Sequence, residues 1–271
     1  MPESAEETVV YAVELCLLAA GVVLLWRHVL RPSARTRWRE PAALAAWGVS
    51  LPDFFLFLLI IISAVLAVSF AAGLILKPFK LSAGSQTILG TAFFQLGLLI
   101  GPAVLPLGLG HHPLRPPLTR ATLLSGAGTF LIALPIVTLV SLVWLGLLNR
   151  CGIAAEKQDV MQLFLEAKSS GLIFVLIGFA TLVAPVGEEL LFRATLFRFL
   201  RTRIPRWAAL LLPAMLFAAF HQNLAAFAPL VALAVIFSLA YERTGYIGTA
   251  MVAHGLFNLH TIALLLAGVT P

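Results

Sequence analysis

Most of this chain consists of long apolar runs, and each is close to the length that an α-helix needs to cross a bilayer. A helix needs roughly 20 apolar residues to span the hydrocarbon core. The runs are continuous rather than alternating, which favours helices over a strand barrel. The sequence therefore predicts an all-α, polytopic transmembrane helix bundle of about eight spans. These lie near residues 8 to 30, 54 to 76, 85 to 109, 121 to 148, 171 to 195, 206 to 227, 229 to 243 and 246 to 268.

Charged residues are rare, and most of the basic ones flank the apolar runs. Hydrophobic residues make up 61% of the sequence and charged residues 11%, whereas roughly a quarter of the residues in soluble domains are charged. The 271 residues therefore form one membrane domain. The net charge of +6 fits anchoring in a lipid bilayer and argues against nucleic-acid binding. Cys16 and Cys151 form no disulfide framework or metal-binding pattern.

The distribution of arginine predicts which loops face the cytoplasm. By the positive-inside rule, the loops after spans one, three, five and seven are cytoplasmic, and the segment from Arg150 to Lys168 is an outer loop. The chain is therefore predicted to cross the cell (inner or cytoplasmic) membrane several times, with both termini external. Small residues such as Gly126 and Gly128 are expected to let neighbouring helices approach closely. The arginines that carry the topology are Arg27, Arg31, Arg35, Arg37, Arg39, Arg115, Arg120, Arg198, Arg201, Arg203, Arg206 and Arg243.

Two adjacent carboxylates and an arginine interrupt the fifth run. Glu188, Glu189 and Arg193 lie in a segment that is otherwise apolar. A charged side chain near the middle of a bilayer costs about 2.5 kcal/mol or considerably more, so an intramembrane ionisable group indicates a functional site. Glu189 and Arg193 are four residues apart on one helix face, where they can pair and leave Glu188 available.

Counting along the helices places further polar residues near the same depth. Glu188 lies 16 residues before Ile204, and His221 lies 16 residues after Pro205. At 1.5 Å per residue, both are about 24 Å from the turn between spans five and six. His254 and Asn258 lie one helical turn apart on the last span, at a compatible depth.

Side chains of this kind suit the hydrolysis of a peptide bond. A carboxylate beside a neutral imidazole can hold and deprotonate a water molecule. An imidazole N–H and an asparagine N–H one turn apart provide two donors for the oxyanion of a tetrahedral intermediate. Glu188, His221 and His254 also form a zinc-ligand set, although no HExxH motif is present. We prefer water activation without a cofactor, and zinc stays open as the alternative.

The three motifs together resemble the signatures of the CAAX prenyl protease 2 family, which includes the bacterial CPBP (Abi-type) intramembrane proteases. The resemblance covers roughly residues 170 to 265. It implies that Glu188 acts as general base with His221 and that His254 and Asn258 stabilise the oxyanion, with Glu189, Arg193 and Phe217 in support. The motifs are Glu188-Glu189-x-x-x-Arg193, Phe217-x-x-x-His221 and His254-x-x-x-Asn258.

We therefore divide the chain into two parts and predict its function from the second. Residues 1–169 hold spans one to four and an outer loop, and residues 170–268 hold a CPBP-like protease core. The predicted function is that of an integral-membrane endopeptidase acting on a membrane-associated or hydrophobic peptide or protein, with the site opening toward the cytoplasmic face. The composition, rich in Ala, Leu and Arg, suggests a bacterial chain.

Two alternatives come from other functional classes. One is a non-catalytic membrane scaffold or bacteriocin-immunity-type factor that retains the fold. The intact set of motifs argues against it, because a scaffold needs neither a water activator nor oxyanion donors. The other is a carrier or ion pathway, against which stands the absence of polar residues in the first four spans. His260 and His28 are interpreted as packing or surface residues.

Overall fold

The regular structure of the described residues is helical throughout, as the apolar runs predict. A computed structural model describes residues 5–38, 40, 42–79, 83–108, 118–153 and 170–269. Residues 154–168 of the predicted outer loop, Arg39 and Arg115 lie outside these residues. In chain order the helices are α1 (5–30), α2 (Pro32–Arg37), α3 (Leu51–Leu76), α4 (Ala83–Gly108), α5 (Arg120–Arg150), α6 (170–200), α7 (Arg206–Phe220), α8 (Leu224–Thr244) and α9 (Ile247–Leu266).

Six of these helices are long and apolar enough to cross a membrane: α1, α3, α5, α6, α8 and α9. Two shorter apolar helices, Ile88–Ile100 within α4 and Arg206–Phe220, occupy the positions of the third and sixth predicted spans. The chain is therefore a multi-pass helical membrane protein, and the predicted number of about eight spans is approximate.

The boundary between the sixth and seventh helices differs from the prediction. The sixth predicted span, α7, ends at Phe220 rather than near 227, and the seventh, α8, is 21 residues long. Gln222 has a φ of 50°, which breaks the helix, and the Asn223 side chain accepts a hydrogen bond from the Ala226 backbone N–H at 2.8 Å. This N-cap starts the next helix, because its oxygen satisfies a free backbone donor. Pro229 lies inside α8 and does not mark its beginning.

Two π-helical segments interrupt α6 on either side of its carboxylates. Residues Phe179–Val183 and Leu190–Phe197 have π-type turns, and they flank the α-helical turn Ala184–Glu189. A π-type turn changes the direction in which later side chains point, and such turns occur frequently at functional sites. The two halves of α6 therefore present different faces to their neighbours.

The core of the bundle forms where α5, α8 and α9 pack together. Gly126 of α5 lies so close to α9 that a Cβ there would be 2.6 Å from the Cβ of Val252. The hydroxyls of Ser125 and Thr249 are 2.8 Å apart across the same contact. The expected close approach is thus present at Gly126, but not at Gly128, whose added Cβ would meet nothing within 4 Å.

One end of the bundle is held by arginines, and we call it the arginine end (Arg198, Arg201, Arg203 and Arg206). Glu242 at the end of α8 accepts from Arg201 at 2.8 Å and from Arg206 at 2.6 Å. These contacts join the turn between α6 and α7 to the end of α8, as the arginine distribution predicts for loops on one side of a membrane.

The segment between α2 and α3 is docked against the arginine end through its backbone. The Leu44 carbonyl accepts from Arg201 at 2.9 Å, and the Leu44 N–H donates to the Glu242 carbonyl at 3.1 Å. Arg203 donates to the Val49 carbonyl. Trp47 and Val49 are buried in a cluster with Phe54 and Phe199. We call residues 42–50 the docked segment.

Candidate active site

A buried ion pair lies at the centre of the site. The Arg193 Nη1 atom is 2.8 Å from the Glu189 Oε1 atom, and the two side chains are 1% and 0% exposed. The guanidinium carbon lies 4.7 Å from the Phe217 ring centroid and 5.5 Å from that of Phe237. The predicted pairing of Glu189 with Arg193 is therefore present. The rings of Phe217 and Phe237 pack against its guanidinium group.

His254 of α9 joins this pair and lies between the two carboxylates. Its Nδ1 atom is 2.9 Å from Glu189 Oε1, and its Nε2 atom is 3.7 Å from Glu188 Oε2. Because an ionised carboxylate only accepts hydrogen bonds, this contact assigns a proton to Nδ1. The Nε2 atom therefore faces Glu188. A single water can contact both Nε2 and Glu188 Oε2 at about 2.8 Å.

Glu188 receives a hydrogen bond from a helix outside the predicted core. The Gln95 Nε2 atom of α4 donates to Glu188 Oε1 at 2.8 Å, and Gln95 is itself buried. The prediction that the first four spans have no polar residues is therefore wrong at this position. Gln95, one of two glutamines in the predicted third span, was the available signal, but nothing in its spacing indicated which helix it contacts.

Phe217 and His221 close the site from α7. The Phe217 ring lies 5.8 Å from the His254 ring and 4.7 Å from the His221 ring, centroid to centroid. His221 follows the last residue of α7, and its Nδ1 atom is 2.8 Å from the Phe217 carbonyl oxygen. Within the described residues, no hydrogen bond or ion pair joins His221 to Glu188. His221 is exposed. Its ring contacts Phe217, which in turn contacts His254 beside the carboxylates.

Asn258 lies one turn beyond His254 and binds the backbone of α6. Its Nδ2 atom donates to the Ala180 carbonyl at 2.8 Å, within the first π-helical segment. An amide nitrogen carries two N–H donors, so one is left after this contact. The structure thus brings Glu188, Glu189, Arg193, Phe217 and His254 into one connected set, with His221 and Asn258 at its edges.

A second carboxylate–histidine pair lies outside the site. His260 Nε2 on α9 is 2.6 Å from Glu14 Oε2 on α1, and its ring lies 5.7 Å from the Phe130 ring. This contact joins α1 to α9 and agrees with the interpretation of His260 as a packing residue.

The zinc alternative can be compared with these contacts. In the part of the chain that the structure describes, no three His, Cys, Asp or Glu side chains are grouped so as to hold a metal ion. The Nδ1 atoms of His221 and His254 are engaged with the Phe217 carbonyl and with Glu189. Each ring keeps its Nε2 atom, and a zinc-bound histidine uses one ring nitrogen while the other is hydrogen-bonded, so these two contacts are compatible with either alternative.

The fold and the site together define a multi-pass helical membrane protein with a buried carboxylate–histidine centre. Residues 170–260 match the family model described as type II CAAX prenyl endopeptidase Rce1-like. The predicted resemblance to the CAAX protease family is confirmed over these residues, which make up about one third of the chain and include all three motifs. Gln95 lies outside the match. No curated protein and no solved structure matches the chain.

Proposed function

We propose that the protein is an integral-membrane endopeptidase that hydrolyses a peptide bond with water activated by Glu188. The observation that carries this proposal is the position of His254, whose two ring nitrogens face Glu189 and Glu188 inside the segment that matches the protease family. A water that contacts Glu188 Oε2 is held beside an imidazole in a largely buried site. This arrangement supports general-base catalysis.

The reaction follows from these positions. Glu188 takes a proton from the water while the water oxygen bonds to the carbonyl carbon, and the carbonyl π electrons move onto the oxygen. His254 takes a second proton from solvent onto Nε2 before the reaction and keeps it throughout. From Nε2 it donates a hydrogen bond to this oxyanion, while Glu189 balances the charge of the ring. The second N–H of Asn258 is the other donor. When the C–N bond breaks, Glu188 returns the proton to the leaving nitrogen.

We propose that this chemistry needs no metal ion. Among the described residues, no three His, Cys, Asp or Glu side chains are grouped as a set of zinc ligands, which supports this proposal. Glu188 and His254 are instead placed for direct contact with water. The residues that would hold zinc in the alternative are Glu188, His221 and His254.

Replacing His254 by alanine is expected to lower the cleavage rate on the order of 10²-fold or more, because an oxyanion donor is lost. The assay uses purified protein in lipid nanodiscs and a library of quenched-fluorescent peptides that carry an apolar anchor. In water enriched with ¹⁸O, hydrolysis places one heavy oxygen in each new carboxyl terminus, which mass spectrometry detects.

His260→Ala is the matched control, since His260 lies on the same helix and also pairs with a glutamate, but outside the site. It is expected to keep the wild-type rate. Treatment with EDTA or 1,10-phenanthroline is expected to leave that rate unchanged. Equal rates for wild type and His254→Ala would overturn the proposed role of His254, and activity that zinc restores after chelation would overturn the metal-free mechanism.

We further propose that the arginine end faces the cytoplasm and that a membrane-associated peptide reaches the site from there. His254 lies seven residues into α9 from this end, a rise of about 10 Å. Such a rise supports access from that side. The substrate is proposed to be apolar because the surrounding helices are apolar.

Cysteine labelling of intact cells tests this orientation. Cys151 is exposed and follows the end of α5 that lies away from the arginine end. With Cys16 replaced by serine, Cys151 is expected to react with a membrane-impermeant maleimide added outside. Ser33→Cys, at an exposed position of α2 in a chain without Cys16 and Cys151, is expected to react only after permeabilisation. The reverse pattern would contradict the proposed orientation.

A further inference from the structure

Gln95 is a buried amide in direct contact with the proposed general base. It is 5% exposed and lies on α4, 93 residues before Glu188 in the sequence. Its Nε2 atom is 2.8 Å from Glu188 Oε1. The other carboxylate oxygen, Oε2, is the one that faces His254. The amide therefore binds one oxygen of Glu188 and leaves the second for the reaction side.

The orientation of the amide group follows from the chemistry of its partner. An ionised carboxylate accepts hydrogen bonds and cannot donate one, so the amide nitrogen must face Glu188. This leaves the Gln95 Oε1 atom as an acceptor, and it is buried without a hydrogen-bond partner within the described residues. A buried acceptor without a partner is unfavourable, so packing alone does not explain a glutamine here.

Close packing of α4 on α6 holds Gln95 in this place. Gly187 directly precedes Glu188, and a Cβ added to it would lie 3.1 Å from Gln95 Oε1 and 3.5 Å from the Cβ of Leu98. Leu98 in turn packs with Phe57 and Ile61 of α3. The absence of a side chain at Gly187 thus lets the amide come level with the carboxylate.

We propose that Gln95 is a positioning residue of the active site. Its N–H group holds Glu188 Oε1 and so turns Glu188 Oε2 toward His254, while its free Oε1 atom provides an acceptor for a water inside the site. This inference rests on the proposed function. It extends the site to a helix outside the segment that matches the protease family.

Gln95→Met tests this role, because methionine has a similar length and no amide. The probe is the peptide of the anchored library that wild type cleaves fastest. We expect kcat to fall on the order of 10²-fold, with KM little changed, because the lost contact acts on the base and not on substrate binding. Ile61→Ala is the packing control. It loosens the same α3–α4 cluster and is expected to lower the melting temperature while kcat stays near wild type.

A second measurement does not depend on proteolysis. Melting temperatures of Gln95→Met, Glu188→Leu and the double variant form a thermodynamic cycle, and direct contact predicts that the two single effects do not add. If wild type cleaves peptides and Gln95→Met keeps its kcat, the positioning role is overturned. If wild type cleaves no peptide, the proposed function fails. If the changes in melting temperature of the two single variants then add in the double variant, the contact between Gln95 and Glu188 is overturned as well. If they do not add, the contact is supported.

Discussion

Glu188→Gln is expected to lower kcat on the order of 10²- to 10⁴-fold, the range that a general base contributes. Glutamine keeps the size and most of the hydrogen-bonding capacity of the side chain but cannot take a proton from water. The Gln95 contact on Oε1 can be kept by the new amide oxygen, so the fold is expected to survive. The measurement is the single-turnover cleavage rate of the anchored peptide in nanodiscs, beside a melting curve for each variant.

Glu14→Gln provides the matched control for this prediction. Glu14 is also a glutamate within a membrane helix and also pairs with a histidine of α9, but its partner is His260. We expect its cleavage rate to equal that of wild type, which would show that the loss at Glu188 is not a general effect of removing an intramembrane carboxylate. Equal rates for Glu188→Gln and Glu14→Gln would refute Glu188 as the base.

Arg193→Met is expected to destabilise the protein by about 3–5 kcal/mol, the largest stability effect among these variants. The Arg193 and Glu189 side chains are essentially inaccessible to solvent. Removal of the guanidinium leaves the Glu189 carboxylate buried with only His254 as a partner. The measurement is thermal unfolding in detergent, followed by the intrinsic fluorescence of the protein.

Two further variants test whether the destabilisation comes from leaving Glu189 buried without its partner or only from removing an arginine side chain. The double variant Glu189→Leu/Arg193→Met removes both charges and is expected to be more stable than Arg193→Met alone, since no uncompensated charge is left. Arg206→Met is the control at the arginine end, where the side chain is 55% exposed and Glu242 keeps Arg201. We expect it to cost about 1 kcal/mol or less. An Arg193→Met variant as stable as Arg206→Met would show that the buried pair contributes little.

The helices could be predicted largely from their apolar runs, and the one clear error has a local cause. Hydropathy does not mark the turn at His221 and Gln222, because a few polar residues between two apolar runs hardly change the average. The seventh span was predicted to begin at residue 229, but the cap formed by Asn223 starts α8 five residues earlier, at Leu224. A side-chain hydrogen bond thus determined a boundary that composition placed elsewhere.

The sequence was enough to predict most of the residues that form the candidate site, but only some of the contacts between them. Glu188, Glu189 and His254 were visible because charge and imidazole are rare in apolar helices. The contact of His254 with Glu189 was not predicted, because depth counted at a uniform rise takes no account of the π-helical segments of α6. Gln95 was missed because a neutral amide changes hydropathy little, and because no pattern in a single sequence specifies which two helices pair.

The docked segment has a consequence for the order in which the chain reaches its final form during synthesis. Leu44 is made early, yet its backbone N–H bonds to the carbonyl of Glu242, and its carbonyl accepts from Arg201. Neither partner exists until most of the chain has left the ribosome. Insertion of the first helices therefore cannot complete this end of the protein. The carbonyl of Leu44 must wait for the end of α6 before it finds its donor, and the Leu44 N–H must wait for α8 before it finds its acceptor.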